Sequence, residues 1–420
     1  MLVSILTLLW VVNAARHQRV VALSLPPRIV ILFVLPLVWA IVQISGFMFG
    51  SAHHPLWELS AQMLGTPIQS AISITPDNTL VSVMRLASYG LVFFLSFQYA
   101  RNPHRAHTML KWFAITGIFY ALYGLVVYWG DLNVLFWTEA AENVNKVVTS
   151  TFVNRNSYVT YAGLGLLCLM ALSLAPSSTH GSPYRPVRSR SEIVEYYVLR
   201  SWKPLLGIML ITTALVSTRS RGGFIAAGPA VITLLLIYGI KMKLNTKTLL
   251  ASISGVLVII GLAYSVSNDG LLTRMEHIDT GGNERLQVYA MTLDAIGDSA
   301  LPGFGYGSYY EGFRMYHNEE VGNIYDKAHN TYLENIFELG FPAAVSLFLA
   351  LFGLMWLSLK GSLHRHRDWI YPATGVAASV LVGIHSLVDF SLQIPAIAIT
   401  YSAIMGMAVA QSFSSARHHA

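Results

Sequence analysis

Charge is what this sequence has least of. Only 11% of its 420 residues are Asp, Glu, Lys or Arg, where a soluble domain carries roughly a quarter. That shortage excludes an ordinary water-solvated fold, and the 54% hydrophobic content with a mean hydropathy of +0.53 makes lipid the main solvent. Cysteine is nearly absent. The single Cys168 lies in an apolar run, which excludes a disulfide scaffold within the chain and a cysteine-based metal site. The net charge of +6 would suit nucleic acid, but the distribution of the charges speaks against that partner.

A bilayer-crossing helix needs about 20 mostly apolar residues. Such runs fall near 29–50, 80–100, 110–129, 158–175, 204–218, 222–240, 248–266, 337–359, 370–388 and 394–411, and a shorter one, 2–12, opens the chain. The expected fold class is all-α: a polytopic membrane protein with about 11–12 transmembrane helices and one large, partly helical loop. Residues 1–266 hold the N-terminal helices, 267–336 the loop and 337–420 the C-terminal helices. The runs 204–218 and 222–240 meet at a polar pivot with almost no loop between them.

Alternate loops are basic. They carry Arg16, Arg19 and Arg28, then Arg101, Arg105 and Lys111, then Arg185, Arg188, Arg190, Arg200 and Lys203. Lys241, Lys243 and Lys247 follow, then Lys360, Arg365 and Arg367, with Arg417 in the tail. These are 18 of the 27 Lys and Arg residues, against three acids, Glu192, Glu195 and Asp368. The positive-inside rule puts such loops in the cytoplasm. The loop 267–336 reverses the balance with four basic residues and eleven acids, so it is expected outside. This orientation sends Met1 outside too. The run 2–12 is short for a span, and its basic residues follow the apolar stretch, unlike those of a signal peptide. The expectation is a missing N-terminal helix or a misassigned start, a natural member having twelve spans with both ends inside.

The polar islands all fall on the outer face. Ser217-Thr218-Arg219-Ser220-Arg221-Gly222-Gly223 lies between two apolar runs. Arginines at a bilayer edge are costly without anionic partners. A pyrophosphate is one such partner, bound bidentately by guanidinium and by the free N–H groups of a helix start at Gly222-Gly223. Snorkelling to ordinary lipid phosphates is the plainer alternative. In the large loop, Asn283-Glu284-Arg285 opens a periodic stretch ending near Gly297. Pro302-Gly303-Phe304-Gly305-Tyr306-Gly307 is a turn-rich break; with no strand before it, a tight packed turn is preferred to a nucleotide loop.

Ala328-His329-Asn330-Thr331-Tyr332-Leu333-Glu334 follows, and Thr331-x-x-Glu334 reads as a capping box leading without a break into the run 337–359. His329 then precedes a helix N-terminus, where the dipole favours the neutral imidazole that can accept a proton. The alternative is a structural histidine satisfying an exposed N–H. Three smaller islands share this face: Thr151-Phe152-Val153-Asn154-Arg155-Asn156 before the span at 158, Arg85 just inside its span, and His385 with Asp389. The last two are four apart and are expected on one helix face, where a purely structural pair is the alternative. His53-His54, His104/His107, His364/His366 and His418-His419 are scattered over both sides without matching acids, so no metal is expected.

Read together, Ser217–Gly223, Pro302–Gly307, His329-Asn330-Thr331-Tyr332-Leu333-Glu334 with Glu338-Leu339-Gly340, and His385-Ser386-Leu387-Val388-Asp389-Phe390 through Pro395 resemble the bacterial O-antigen ligase/polymerase family. Thr151–Asn156 is similar to its exopolysaccharide-polymerase members. The likeness covers roughly residues 150–411, and His329 with Gly340 ten residues beyond it fits the ligase-type histidine motif. The lysine-bearing tail of that motif is absent, since Phe341-Pro342-Ala343 follows.

The resemblance implies a metal-independent inverting glycosyltransferase of the inner membrane, acting at the periplasmic face without a cofactor. Its donor is a glycan on undecaprenyl pyrophosphate. Its acceptor is a sugar hydroxyl on lipid A core or on another lipid-linked glycan. His329 and Arg221 are the implied catalytic residues. Arg219, Arg285, Arg155, Asn330 and Arg85 bind substrate, and His385 and Asp389 support. A transporter or flippase of lipid-linked saccharides is the alternative, but it should show internal repeats and charges near the bilayer midplane. A membrane scaffold gives no reason for Arg219, Arg221 and His329 to share one face.

Overall fold

The computed structural model describes residues 2–16, 25–46, 53–132, 134–135, 138–139, 147–175, 190–266, 281–318, 321–322 and 325–413. Arg19, Arg185, Arg188, Arg417, His418-His419 and the 267–280 part of the acidic loop lie outside the described residues. In chain order the helices are α1 (Leu2–Arg16), α2 (Pro27–Ile44), α3 (Leu56–Leu64), α4 (Pro76–Tyr99), α5 (Pro103–Trp129), α6 (Arg155–Leu174), α7 (Arg190–Ser217) and α8 (Arg221–Met242). Then come α9 (Thr246–Val266), α10 (Gly281–Asp298), α11 (Tyr309–Phe313), α12 (Thr331–Leu339), α13 (Phe341–His364), α14 (Ile370–His385) and α15 (Pro395–Ala410). A two-residue antiparallel pair, Val134–Leu135 with Thr138–Glu139, is the only strand pairing among the described residues.

The chain is an all-α polytopic membrane protein. α2, α4, α5, α6, α8 and α13 are long and apolar enough to cross a bilayer, and α1, α7, α9, α14 and α15 contain shorter apolar helices. These eleven follow the eleven expected runs, but the short ones fall below the expected length. α14 and α15 have 16 residues each, about 24 Å of helix against a hydrocarbon core of about 30 Å. Two boundaries differ in a way that matters later. The run expected to continue unbroken from Thr331 is cut at Gly340, whose φ of +73° ends α12 before α13 begins. The helix expected to reach 388 closes at His385, so Asp389 does not stand one turn beyond it on the same face.

The described chain forms two compact units. The first comprises Met1–Val92, Gly270–Leu354 and Ser386–Pro395. Its core gathers Val288, Met291 and Ala295 of α10, Phe304, Tyr309 and Phe313 of the following turn and helix, and Phe337 of α12. The Phe304 and Phe337 rings stack with centroids 4.3 Å apart. The glycine-rich break is a turn locked to the end of α12: Phe304 N–H and Gly305 N–H donate to the carbonyls of Phe337 and Glu338, at 3.0 Å each. Gly303 has φ +69°, and a Cβ there would lie 2.4 Å from the Gly340 nitrogen, so two chains cross where no side chain fits. The buried Gln43 of α2 secures the crossing. Its amide donates to the carbonyls of Pro302 (2.7 Å) and Glu338 (2.8 Å) and accepts from Tyr306 N–H (3.1 Å). Such full pairing is what a buried amide requires.

The second unit comprises Phe93–Asp269, Met355–His385 and Ala396–Ala420. α6 is buried along most of its length and packs against α5, α7, α8 and α14. Small residues make this possible, as in many membrane bundles: a Cβ on Gly117 of α5 would lie 2.9 Å from the Gly165 Cα of α6.

Candidate active site

In the second unit, two helices start side by side. Asn154 caps α6, its side chain accepting from Asn156 N–H at 2.8 Å. Ser220 caps α8, its hydroxyl taking Gly223 N–H at 3.3 Å. The same Ser220 hydroxyl donates to Asn156 Oδ1 at 2.8 Å, which joins the two starts. Gly223 is what lets α8 come so close, since a Cβ there would lie 2.0 Å from Val159 Cγ1. Arg155 and Arg221 are the first residues of the two helices, and Arg219 sits in the junction with φ +52°. Arg155 and Arg219 are exposed and Arg221 is half-buried. The expected polar pivot is therefore real, and it gathers Arg155 with Arg219 and Arg221. Helix N-termini and guanidiniums each favour anions. His385 belongs to this unit. Its Nδ1 is hydrogen-bonded to Thr160 Oγ1 at 2.6 Å, and Thr160 also donates to the Asn156 carbonyl at 3.2 Å.

In the first unit, His329 lies just before α12. Asn330, not Thr331, caps that helix: its side chain accepts from the N–H groups of Tyr332 (3.0 Å) and Leu333 (3.1 Å). Thr331 instead ties the helix start to the segment after α14. Its N–H donates to Ser386 O and its hydroxyl to Asp389 O, both at 2.9 Å. That leaves the buried Asp389 carboxylate facing His329, with Oδ1 3.9 Å from Nδ1, while Ser391 donates to the other oxygen. So Asp389 faces His329 here, and His385 has its own partner in the other unit. The His329 ring is flanked edge-on by Phe390 at 5.0 Å and Tyr325 at 6.0 Å. Its Nδ1 is buried and makes no hydrogen bond.

Burial, and then the charge of Arg285, hold the His329 pKa below its ordinary value of 6.5, against the opposing pull of Asp389 and Asp326. The imidazole is therefore neutral at pH 7 and able to accept a proton. Arg285 is exposed on α10, four residues before Tyr289, whose hydroxyl donates to the His329 carbonyl at 3.0 Å. Arg85 is exposed on α4, where its charge opposes the burial that raises the Tyr306 phenol.

Sequence reasoning passed over three groups in the first unit. Tyr289 is one, and the buried Glu334 and Glu338 are the others. Glu334 was visible only as the fourth residue of a supposed capping box. Among the described residues no group of three His, Cys, Asp or Glu side chains converges as a metal site.

Residues 206–348 match the family model described as O-antigen ligase. That stretch contains Arg219, Arg221, Arg285, His329 and Asn330 and leaves out Arg85, Arg155, His385 and Asp389. No curated protein matches the chain.

Proposed function

We propose, from the match of residues 206–348 to the O-antigen ligase family model, that this chain belongs to that family and transfers or polymerises glycans from an undecaprenyl-pyrophosphate-linked donor onto a sugar hydroxyl. The acceptor is lipid A core or a further lipid-linked glycan. The reaction takes place at the periplasmic face of the inner membrane and inverts the anomeric centre. The observation that carries this reading is the neutral, carboxylate-faced His329 inside the family-matched stretch. Its role is to take the proton of the acceptor hydroxyl as that oxygen attacks the anomeric carbon, with Asp389 steadying the imidazolium that forms. Asn330 fixes the helix start beside it.

The departing pyrophosphate carries the charge that must be stabilised. Arg221, Arg219 and Arg155 at the joined helix starts suit that task, because guanidinium and helix N–H groups both favour phosphate oxygens. Arg285 and Arg85 add positive charge for binding the donor. A pyrophosphate is already a good leaving group, so neither a metal nor a nucleotide sugar is needed in this scheme.

The test is a reaction of purified protein with an undecaprenyl-pyrophosphate-linked oligosaccharide in the presence of a chelator, offering either lipid A core or additional donor as acceptor. Extended or ligated glycan together with released undecaprenyl pyrophosphate is expected. A donor that stays intact with both acceptors, while membranes containing the protein do assemble glycan, would sink the proposal.

A further inference from the structure

His329 is held in a conformation it does not prefer. Its φ of +52° lies in the left-handed region, which is unfavourable for a residue with a Cβ and persists only where the surroundings over-determine it. From the C-terminal side the restraint is the Asn330 cap and the two bonds of Thr331. From the N-terminal side the buried Ala328 packs in the core, and the hydrogen bonds come from one carboxylate. Glu334, buried on α12, accepts from Ala328 N–H at 3.0 Å through Oε2 and from Lys327 Nζ at 3.1 Å through Oε1. The Gln393 amide bonds it as well. Lys327 and Ala328 are the two residues that immediately precede the histidine.

We infer that Glu334 is the positioning residue of His329, its carboxylate gripping the chain just before the histidine so that the imidazole stays turned toward Asp389. This rests on the reading of His329 as the base. Glu338, one turn along, does not share the task; it binds the other loop through Tyr309 N–H at 3.1 Å. A carboxylate is required because the groups around Glu334 are donors: a backbone N–H, an ammonium and an amide N–H. Glutamine at this place keeps the size but offers one acceptor oxygen and turns an NH2 toward a donor. An ordinary capping glutamate would grip the N-cap residue itself. Glu334 reaches past it to Ala328, which makes its effect on His329 specific.

The test needs no knowledge of the native glycan. Detergent-solubilised wild type and Glu334→Gln are treated with diethyl pyrocarbonate, and peptide mass spectrometry follows carbethoxylation of His329 against the exposed His364. Release of the grip is expected to speed modification of His329 by about fivefold or more relative to His364, in protein that keeps a cooperative thermal transition. An unchanged ratio in folded protein overturns the inference. If Glu334→Gln does not accumulate, Glu334→Asp, which keeps the charge but withdraws it by one methylene, is read in the same way.

Turnover supplies the second readout. Glu334→Gln should lower kcat about tenfold or more with donor KM nearly unchanged, and should add nothing in a His329→Ala background. An additive loss there overturns the inference. A His329→Ala protein with full activity would instead strike the reading of His329 as base, while the carbethoxylation ratio would still decide whether Glu334 positions it.

Discussion

The joined helix starts of the second unit and the His329 segment of the first are built by opposite means. Around Arg155 and Arg221 the frame is two long helices with a side-chain cap on each, one hydrogen bond from the Ser220 cap to Asn156, and a single left-handed residue, Arg219, in the junction. Arg155 and Arg221 are the first residues of the two helices. Around His329 a left-handed residue is present too, but there it is held among buried carboxylates. Among the described residues the buried carboxylates are Glu334, Glu338 and Asp389, all in the first unit. The contrast teaches what each chemistry demands. An anion held by many partial charges tolerates some looseness, since removing one donor leaves others. A single base must be aimed, and aiming one imidazole takes several buried partners.

Substitution of the proposed base should have the largest effect. His329→Ala should lower kcat by about a hundred- to ten-thousand-fold, the range of a true general base, while leaving donor affinity intact. The pH profile refines the point. Because the pKa of His329 lies below 6.5, the neutral form persists under mildly acidic conditions, and the acid limb of kcat should fall below that pH. Arg285→Ala removes a charge that holds the pKa down, so it should move the limb to higher pH. A limb that ignores Arg285 would mean that another group titrates.

Arg221 should behave more gently. Arg221→Ala removes one member of a shared surface and should weaken the donor term by about ten- to a hundred-fold, the worth of charged hydrogen bonds. Arg221→Lys should recover part of this, because lysine keeps the charge but loses the bidentate fork. Steady-state kinetics against donor concentration check it. Full recovery by lysine would reduce the site to a general positive field, with no specific grip on phosphate.

How much of this could be read beforehand follows the same divide. The islands at the starts of α6 and α8 were legible as polar breaks between apolar runs, while their caps, Asn154 and Ser220, were not singled out although capping is local. The His329 segment was only half legible. Thr331-x-x-Glu334 has the spacing of a capping box, yet Asn330 takes the cap and both expected members bind elsewhere, Thr331 to the segment after α14 and Glu334 to the chain before the histidine. The break at Gly340 did carry a local signal, a glycine followed two residues later by Pro342, the usual end of one helix and start of the next. The partnership of Asp389 with His329 carried none. It spans sixty residues of sequence and depends on α14 stopping at His385, so a spacing of four from His385 suggested the wrong helix face.

The smallest effect expected is on stability, and it tests whether the first unit alone carries the cost of buried charge. Glu338 is buried with Glu334 one turn away, and burial followed by that neighbouring charge pushes its carboxyl up to about 8 from an ordinary 4.5. The native state therefore holds a proton that the unfolded chain releases at much lower pH. Between those two values the folded form binds more protons, so stability falls as pH rises, and the contribution is fully present only below the unfolded value. Tm should decline as pH is raised from about 5 to about 8. Glu338→Gln mimics the protonated carboxyl, whose oxygen can still accept from Tyr309 N–H, and should flatten that decline while leaving Tm at pH 5 nearly unchanged. Arg155 and Arg221 in the second unit are exposed or half-buried, so substituting them should not alter the slope. Thermal melts followed by tryptophan fluorescence across this range make the measurement, and a slope that survives Glu338→Gln would assign the buried proton to another group.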